Sequence, residues 1–188
     1  MVASGLNVAG DPGRDAGLVT LSTAHCEPRW YAAYTSANHE KRVAKQLEER
    51  AVEHFLPLYP SVRRWKDRRV RLDLPLFPGY VFVRFALRDR LPILQIPGVA
   101  KLVGFNGTPT ALPEGEIESL RASLARGLRA EPHRFLTVGR RVRVKNGPLV
   151  GTLGILVRRK NRARLVVSVE LIRRAMAVEM DEADLEAL

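Results

Sequence analysis

The chain has little of what metal sites, disulfides and membrane anchors require. Cys26 is the single cysteine among 188 residues, which excludes an internal disulfide and suits a reducing cytoplasm. The four histidines lie far apart, without the spacing of zinc ligands. No apolar run approaches the roughly 20 residues that a membrane helix needs, and the N-terminus has no signal-peptide pattern. We therefore expect a cytoplasmic protein with no metal, no cofactor and no membrane contact.

Common enzyme motifs are also absent. Neither G-x-x-x-x-G-K-[ST] nor G-x-G-x-x-G occurs in the sequence. Cys26 follows His25 in a segment without periodicity, whereas a nucleophile needs a rigid site. Gly147, Gly151 and Gly154 fall between predicted strands and not before a helix, so they indicate a turn or bulge and not a phosphate loop. We expect no catalytic activity.

Positive charge is in clear excess. Lys and Arg number 31 against 20 Asp and Glu, a formal net charge of +11. Such an excess favours a polyanionic partner, usually DNA or RNA. A basic surface can also serve solubility alone. Charge by itself therefore leaves both readings open.

Periodicity divides the chain into a tail and two domains. Residues 1–27 show no period and predict a flexible tail. Residues 28–128 predict an α+β domain of the split β-α-β sandwich class. Its predicted strands and helices are Trp30–Thr35, a helix from a cap at Ser36 or Asn38 to Ala51, His54–Tyr59, Tyr80–Phe85, a short helix Asp89–Ile96, Val99–Phe105 and a helix Pro113–Leu128. The apolar residues Val43, Leu47 and Ala51 form the buried stripe of the first helix.

The remainder of the chain predicts a small basic barrel. Residues 129–136 have the composition of a linker, and 137–188 alternate as four or five short strands, which bury a core only by curling into a barrel. Its fourth strand is predicted over Leu171–Val178, followed by a helical end over Asp181–Leu188. Between Arg134 and Val178 there are 12 Lys and Arg against one acid, Glu170. This nearly one-signed charge suits an RNA or ribosome surface.

One predicted strand is apolar on both faces. Tyr80 and Phe82 point to one face, and Val81, Val83 and Phe85 to the other. Helices normally cover only one face of such a sheet. Either loops or the second domain cover Tyr80 and Phe82, or these rings and Tyr34 form an exposed patch for an apolar partner helix.

Two basic clusters lie in the first domain. Lys41, Arg42, Lys45 and Arg50 lie off the apolar stripe of the first helix, and six of the nine residues from Arg63 to Arg71 are basic, with Trp65 among them. Both could follow a phosphate backbone. Because acidic residues are mixed into the helix, its charges could equally form a solvated face.

Three motifs resemble the NusG family of transcription elongation factors, from about Arg29 to the C-terminus. They are W-Y-x-x-Y at Trp30 to Tyr34, P-L-F-P-G-Y-V-F-V at Pro75 to Val83, and V-G-R-R-V-R-V-K-N-G-P at Val138 to Pro148 with the later Gly154. The last resembles a KOW motif. The resemblance implies a NusG N-terminal domain followed by an all-β, SH3-like KOW barrel.

The resemblance also implies partners and site residues. It implies that the first domain binds the β′ clamp helices of bacterial RNA polymerase during elongation and suppresses pausing or termination. The matching positions for that contact are Tyr34, Tyr80, Phe82 and Leu102. In RfaH-like members the first helix also contacts the non-template DNA strand, and the matching positions are Lys41, Arg42, Lys45, Gln46 and Arg50. We expect a monomer.

Two departures from the family pattern lie in the barrel. Leu149 replaces an aromatic residue, and Leu171-Ile172-Arg173-Arg174 replaces the usual Phe-Gly-Arg. The family's contacts to Rho and to a ribosomal protein therefore do not carry over directly. The aromatic-poor barrel and the L-F-P-G-Y form of the second motif, Leu76 to Tyr80, favour a specialised, RfaH/UpxY-like antitermination paralogue acting at specific operons. The alternative is an RNA-binding or ribosome-associated KOW protein that acts through its basic barrel, contacting nascent RNA or the ribosome.

Overall fold

The computed structural model describes residues 26–65, 68–133, 139–147, 149–159 and 162–188. The predicted tail, 1–27, lies almost wholly outside these ranges. None of the helices within them is both long and apolar enough to span a membrane.

The N-terminal domain is a four-stranded antiparallel sheet with three helices. Its elements are β1 (Pro28–Thr35), α1 (Glu40–Glu49), β2 (His54–Phe55), β3 (Leu58–Trp65), β4 (Arg68–Pro75), β5 (Tyr80–Ala86), α2 (Arg90–Leu94), β6 (Val99–Leu102), β7 (Gly104–Phe105), β8 (Thr108–Pro109) and α3 (Glu114–Ala125). The sheet order is β2-β5-β1-β6, while β3 with β4 and β7 with β8 form separate hairpins. This confirms the predicted α+β class.

The sheet buries apolar side chains on both faces. On one face, Val43 and Leu47 of α1 pack with Val81 and Val83 of β5. On the other face, α3 packs its Ile117 and Leu120 against the side of the sheet that carries Trp30 and Phe82. Alternating residues of β1 and β5 therefore enter different cores, which explains why both faces of β5 are apolar.

The ends of α1 differ from the prediction. Neither Ser36 nor Asn38 caps the helix: the N-cap residue is His39, which makes no side-chain capping bond. At the other end, Ala51 is exposed, with φ of 55°, and lies beyond the helix, so it does not extend the buried stripe. The N–H groups of Ala51 and Val52 bond to the carbonyls of Glu48 and Leu47, both at 2.9 Å. These two bonds form a Schellman motif, which ends the helix.

Two predicted strands of the N-terminal domain are interrupted. The strand expected over His54–Tyr59 stops at Phe55 and resumes at Leu58 in the β3–β4 hairpin, and β2 lies at the sheet edge as Pro57 indicated. The strand expected over Val99–Phe105 divides into β6 and β7. β7 then pairs with β8 through a tight turn in which Asn106 and Gly107 have φ of 49° and 77°, as those turn residues predicted.

The second part of the described chain is an all-β region, which we call the C-terminal sheet. It contains β9 (Ala130–His133), β10 (Arg140–Val144), β11 (Leu153–Arg159), β12 (Arg162–Val169), β13 (Arg174–Met180) and β14 (Leu185–Ala187). The order is β14-β10-β11-β12-β13-β9, with every neighbouring pair antiparallel. Val142, Leu165 and Met176 lie in its core.

Three predictions for this region require correction. Ala130–His133, within the predicted linker, forms β9 and pairs with β13. The fourth strand starts at Arg174, because a 3-10 turn over Glu170–Ile172 and a left-handed Arg173 precede it. The predicted helical end is only a 3-10 turn at Glu182–Asp184, after which β14 pairs with β10. The domain boundaries themselves stay a prediction.

Candidate functional site

The exposed aromatic patch expected on the sheet is smaller than predicted. Tyr34 and Tyr80 lie directly opposite each other on β1 and β5, with ring centroids 5.4 Å apart. Tyr34 is 40% exposed and Tyr80 is half-buried. We call this pair the tyrosine corner. It leaves an aromatic surface available at the edge of the N-terminal domain.

Phe82 and Leu102 do not belong to the tyrosine corner. Phe82 is fully buried, between Phe77 at 5.8 Å and Phe55 at 6.2 Å from ring centre to ring centre. Leu102 pairs with Ala33 and packs in the core beneath α1 and α2, on the opposite face of the sheet. The residue opposite Tyr34 on β6 is the exposed Lys101. For Phe82 the structure therefore agrees with the first of the two alternatives, in which the chain's own residues cover the ring, and Leu102 does not lie beside the tyrosines. A role of either residue in polymerase binding stays a prediction.

A buried carboxylate supports the tyrosine corner. Glu40, only 5% exposed, accepts a 2.7 Å hydrogen bond from the backbone N–H of Gly79. The Gly79 carbonyl in turn accepts a 2.8 Å bond from Thr35 N–H. Gly79 has φ of +85°, and a Cβ there would lie 3.3 Å from Tyr34 Cε2. The positive φ favours glycine at this position, and an added Cβ would displace the Tyr34 ring slightly.

Glu40 was missed by reasoning from sequence. Its position among the charged residues of the first helix suggested a solvated side chain. The signal that could have found it is its place in the first helical turn, where a carboxylate is stabilised by the helix dipole and free N–H groups attract acceptors.

The C-terminal sheet reaches the tyrosine corner. The Arg174 guanidinium carbon on β13 lies 5.8 Å from the centre of the Tyr80 ring, a cation–π distance. Buried side chains of the two regions also form one continuous cluster, in which Trp30 and Phe82 join Val142 and Leu165. The protein's own C-terminal sheet therefore shields part of the predicted binding surface.

A second interaction between the two regions is electrostatic and involves two acidic side chains. Burial and, to a smaller extent, the negative charge of Glu170 just before β13 together raise the pKa of Glu116 on α3 to about 7. Each of these effects disfavours the ionised carboxylate. Glu116 therefore changes its charge near neutral pH, at a place where α3 faces the C-terminal sheet.

The structure brings part of the predicted basic cluster together on α1. Lys41, Arg42 and Lys45 are exposed, and Lys45 makes only a loose ion pair of 3.9 Å with Glu49. Gln46 and Arg50 are held differently. Gln46 Nε2 donates to the Pro97 carbonyl at 3.3 Å, and Arg50 Nη1 donates to the Pro92 carbonyl at 3.0 Å. These two side chains attach α1 to the α2 segment.

Comparison with known proteins agrees with this architecture. The family model described as transcription termination factor nusG matches residues 28–121, half of the chain. The chain belongs to the NusG family. A NusG protein of Rickettsia felis is 26% identical over 168 residues, covering 81% of this chain and 86% of that protein. One from Escherichia coli is 28% identical over 173 residues, covering 84% and 95%. Both are named transcription termination/antitermination protein NusG.

The fold also matches a solved NusG structure. The structure of Thermotoga maritima NusG, described as showing domain interaction, matches with a TM-score of 0.53 and 21% identity, over 87% of this chain and 99% of that one. The likeness supports the fold, with the C-terminal sheet in the place of the KOW barrel.

The departures from the NusG pattern have structural counterparts. Leu149, where an aromatic residue was expected, is fully buried in the core, while its neighbour Val150 is 58% exposed. Arg174, in the second departure, is the residue that lies over Tyr80.

Among the described residues, no group of three or more His, Cys, Asp or Glu side chains is placed to hold a metal ion.

Proposed function

We propose that this NusG-family transcription factor binds elongating RNA polymerase through its tyrosine corner and suppresses pausing or termination. The observation that carries the proposal is the exposed Tyr34 ring beside Tyr80, held in place by Gly79 and the buried Glu40. Exposed, rigidly held aromatic side chains are characteristic centres of protein interfaces. The apolar β′ clamp helices are the partner that the family resemblance implies.

Polymerase binding at this corner requires the C-terminal sheet to move. Arg174 occupies the space over Tyr80, so a partner helix cannot reach the whole ring while that contact persists. A partner that binds the uncovered corner more tightly than the covered one shifts the equilibrium toward the uncovered form. The protein would then bind polymerase in two coupled steps, release and docking.

The exposed cations of α1 are proposed to contact the non-template DNA strand. Lys41 and Arg42 have no ion pair within the described residues and point to solvent. Gln46 and Arg50 would set the edge of this surface through their bonds to the α2 segment. Such a contact would recruit the factor to specific operons. This is the specialised role that the sequence favours.

The second candidate is RNA or ribosome binding through the C-terminal sheet. Arg140, Arg141 and Arg143 of β10 are all exposed, and the surrounding sequence is almost free of acids. Glu186 of β14 lies opposite Arg143, but the β10 surface is predominantly basic, and such a surface binds polyanions without requiring the tyrosine corner. The two candidates therefore depend on different residues.

Co-migration with a stalled bacterial elongation complex tests the proposal. The wild type should co-migrate, and Tyr34→Ala/Tyr80→Ala should not. Phe105→Ala is the matched control, because Phe105 is 68% exposed but lies on the β7–β8 hairpin. Absence of wild-type binding at low salt on several unrelated templates would contradict polymerase binding and favour the second candidate.

A further inference from the structure

The β3–β4 hairpin carries an exposed face that the proposed function does not use. Residues directly opposite each other in an antiparallel pair point to the same face. The register pairs Pro60 with Asp73, Val62 with Arg71 and Arg64 with Arg69, and all six residues are exposed. We call these six residues the arginine face. On the other side of the hairpin, Tyr59 and Val70 are half-buried, whereas Arg68 and Leu72 are exposed, so the two faces differ only in part in solvent contact.

The charges on the arginine face are not compensated within the described chain. Arg64 and Arg69 lie directly opposite each other, an arrangement of like charges that destabilises a strand pair. Arg71 adds a third positive charge on the same face, and Asp73 is its only acid. Within the described residues, none of the three guanidinium groups forms an ion pair or hydrogen bond. An external anion would relieve the repulsion between them.

We propose that the arginine face binds a DNA duplex through its phosphates. Guanidinium groups bind phosphate oxygens in a bidentate manner, which suits closely placed arginines. A two-stranded β-ribbon fits the major groove of B-form DNA, whereas the major groove of A-form RNA is too narrow for it. Each strand of the hairpin has eight residues.

The composition of the arginine face favours a duplex over a single strand. Proteins that bind single strands stack bases on aromatic side chains, and none of the six residues is aromatic. The proposal goes beyond the proposed function, which assigns polymerase to the tyrosine corner and the non-template single strand to α1. The duplex proposal is independent of the polymerase contact and of the single-strand contact, because it concerns DNA binding by the protein in the absence of polymerase.

Fluorescence anisotropy of the full chain with a labelled, arbitrary-sequence DNA duplex tests this inference. Arg64→Gln/Arg69→Gln/Arg71→Gln should lower duplex affinity at least about tenfold at low salt and reduce the slope of log K against log salt by about three, one per lost phosphate contact. Arg90→Gln/Arg126→Gln/Arg129→Gln is the control, since it removes equal charge from exposed positions that belong to none of the proposed binding surfaces. It should leave both quantities close to wild type.

A conservative variant and two competitors complete the experiment. Arg64→Lys/Arg69→Lys/Arg71→Lys should keep the salt slope, because the charges remain. Thermal unfolding should show the Gln variant to be at least as stable as wild type, since the facing charges are gone. Equal loss of affinity in the Arg90/Arg126/Arg129 control would overturn the proposal. So would binding of an RNA duplex or a single DNA strand as tight as that of the DNA duplex.

Discussion

Glu40 and Gly79 are joined by a 2.7 Å hydrogen bond from the glycine N–H to the buried carboxylate. The bond connects the first turn of α1 to the turn before β5, although the residues are 39 positions apart in sequence. It thereby holds Gly79, the residue before Tyr80, whose carbonyl also accepts a hydrogen bond from Thr35, the residue after Tyr34. The tyrosine corner depends on a residue that does not itself belong to it.

Removal of the Glu40 carboxylate should lower the stability of the folded protein. Hydrogen bonds to charged groups contribute about 1.5–3 kcal/mol, so Glu40→Ala should lower the free energy of unfolding by about that amount. Glu40→Gln, which keeps an acceptor oxygen, should cost less. Urea unfolding measures the change, with Glu48→Ala as a control on an exposed position of the same helix. Equal losses at the two positions would contradict the role of Glu40.

Removal of the cation over Tyr80 should favour polymerase binding. An exposed cation–π contact is worth about 0.5–1 kcal/mol, which corresponds to an increase of about two- to fivefold in affinity. Arg174→Ala should show this gain in titrations with a stalled elongation complex. Arg143→Ala, an equal charge change on β10, should not. Unchanged affinity in Arg174→Ala would mean that the contact does not limit access to the corner.

Stability should depend on pH through Glu116. Its folded-state pKa of about 7 lies above the ordinary value of 4.5, so the unfolded chain releases this proton first. Glu116 therefore reduces the stability of the folded state progressively as pH rises from about 4.5 to about 7, and the reduction persists above that. Glu116→Gln should remove this dependence and unfold at a higher temperature than wild type at pH 8.

Glu170→Gln gives an independent test of the cause. It removes the smaller of the two effects, so the pKa of Glu116 should fall only in part and some pH dependence should remain. Calorimetric melting temperatures from about pH 5 to pH 8 measure both variants. The melting temperature of the wild type should fall relative to that of Glu116→Gln as the pH rises from 5 to 8. A difference between the two melting temperatures that stays constant over this range would contradict the assignment.

The interior of α1 and the position just after its end should respond oppositely to the same substitution. Ala51 has φ of 55° at the position after α1 where glycine is usual. Because a left-handed conformation costs a non-glycine residue about 1–2 kcal/mol, Ala51→Gly should stabilise the fold by about 1 kcal/mol. Ala44→Gly, inside α1, should instead destabilise it by about the same amount. A loss of stability in both variants would exclude strain at Ala51.

Sequence periodicity predicted the order of the main helices and strands because it reports which side chains face a core. It could not predict features that depend on distant partners. β14 forms because β10 offers an edge for Leu185 and Ala187, and β9 forms because β13 has a free edge. Phe82 is buried because Phe55 and Phe77, from other segments, enclose it.

The sequence also singled out Tyr34 and Tyr80, because aromatic residues on the sheet face without predicted helices need a partner. The structure places their rings side by side, and their role in binding stays a prediction. Leu102 was selected through the family resemblance alone, and its pairing with Ala33 places it in the core on the opposite face of the sheet. The contact between Arg174 and Tyr80 depends on how the C-terminal sheet packs, which local patterns do not encode.

The buried cluster shared by the two regions has a thermodynamic consequence. Separation of the C-terminal sheet from the N-terminal domain would bring apolar side chains of this cluster into contact with water, at about 25 cal/mol per Å² exposed. This cost would make a separated form a minor species in the free protein. A partner that binds only the separated form would raise the fraction of protein in that form, by an amount set by the partner's concentration and affinity. The response of the factor to its partner would therefore be graded.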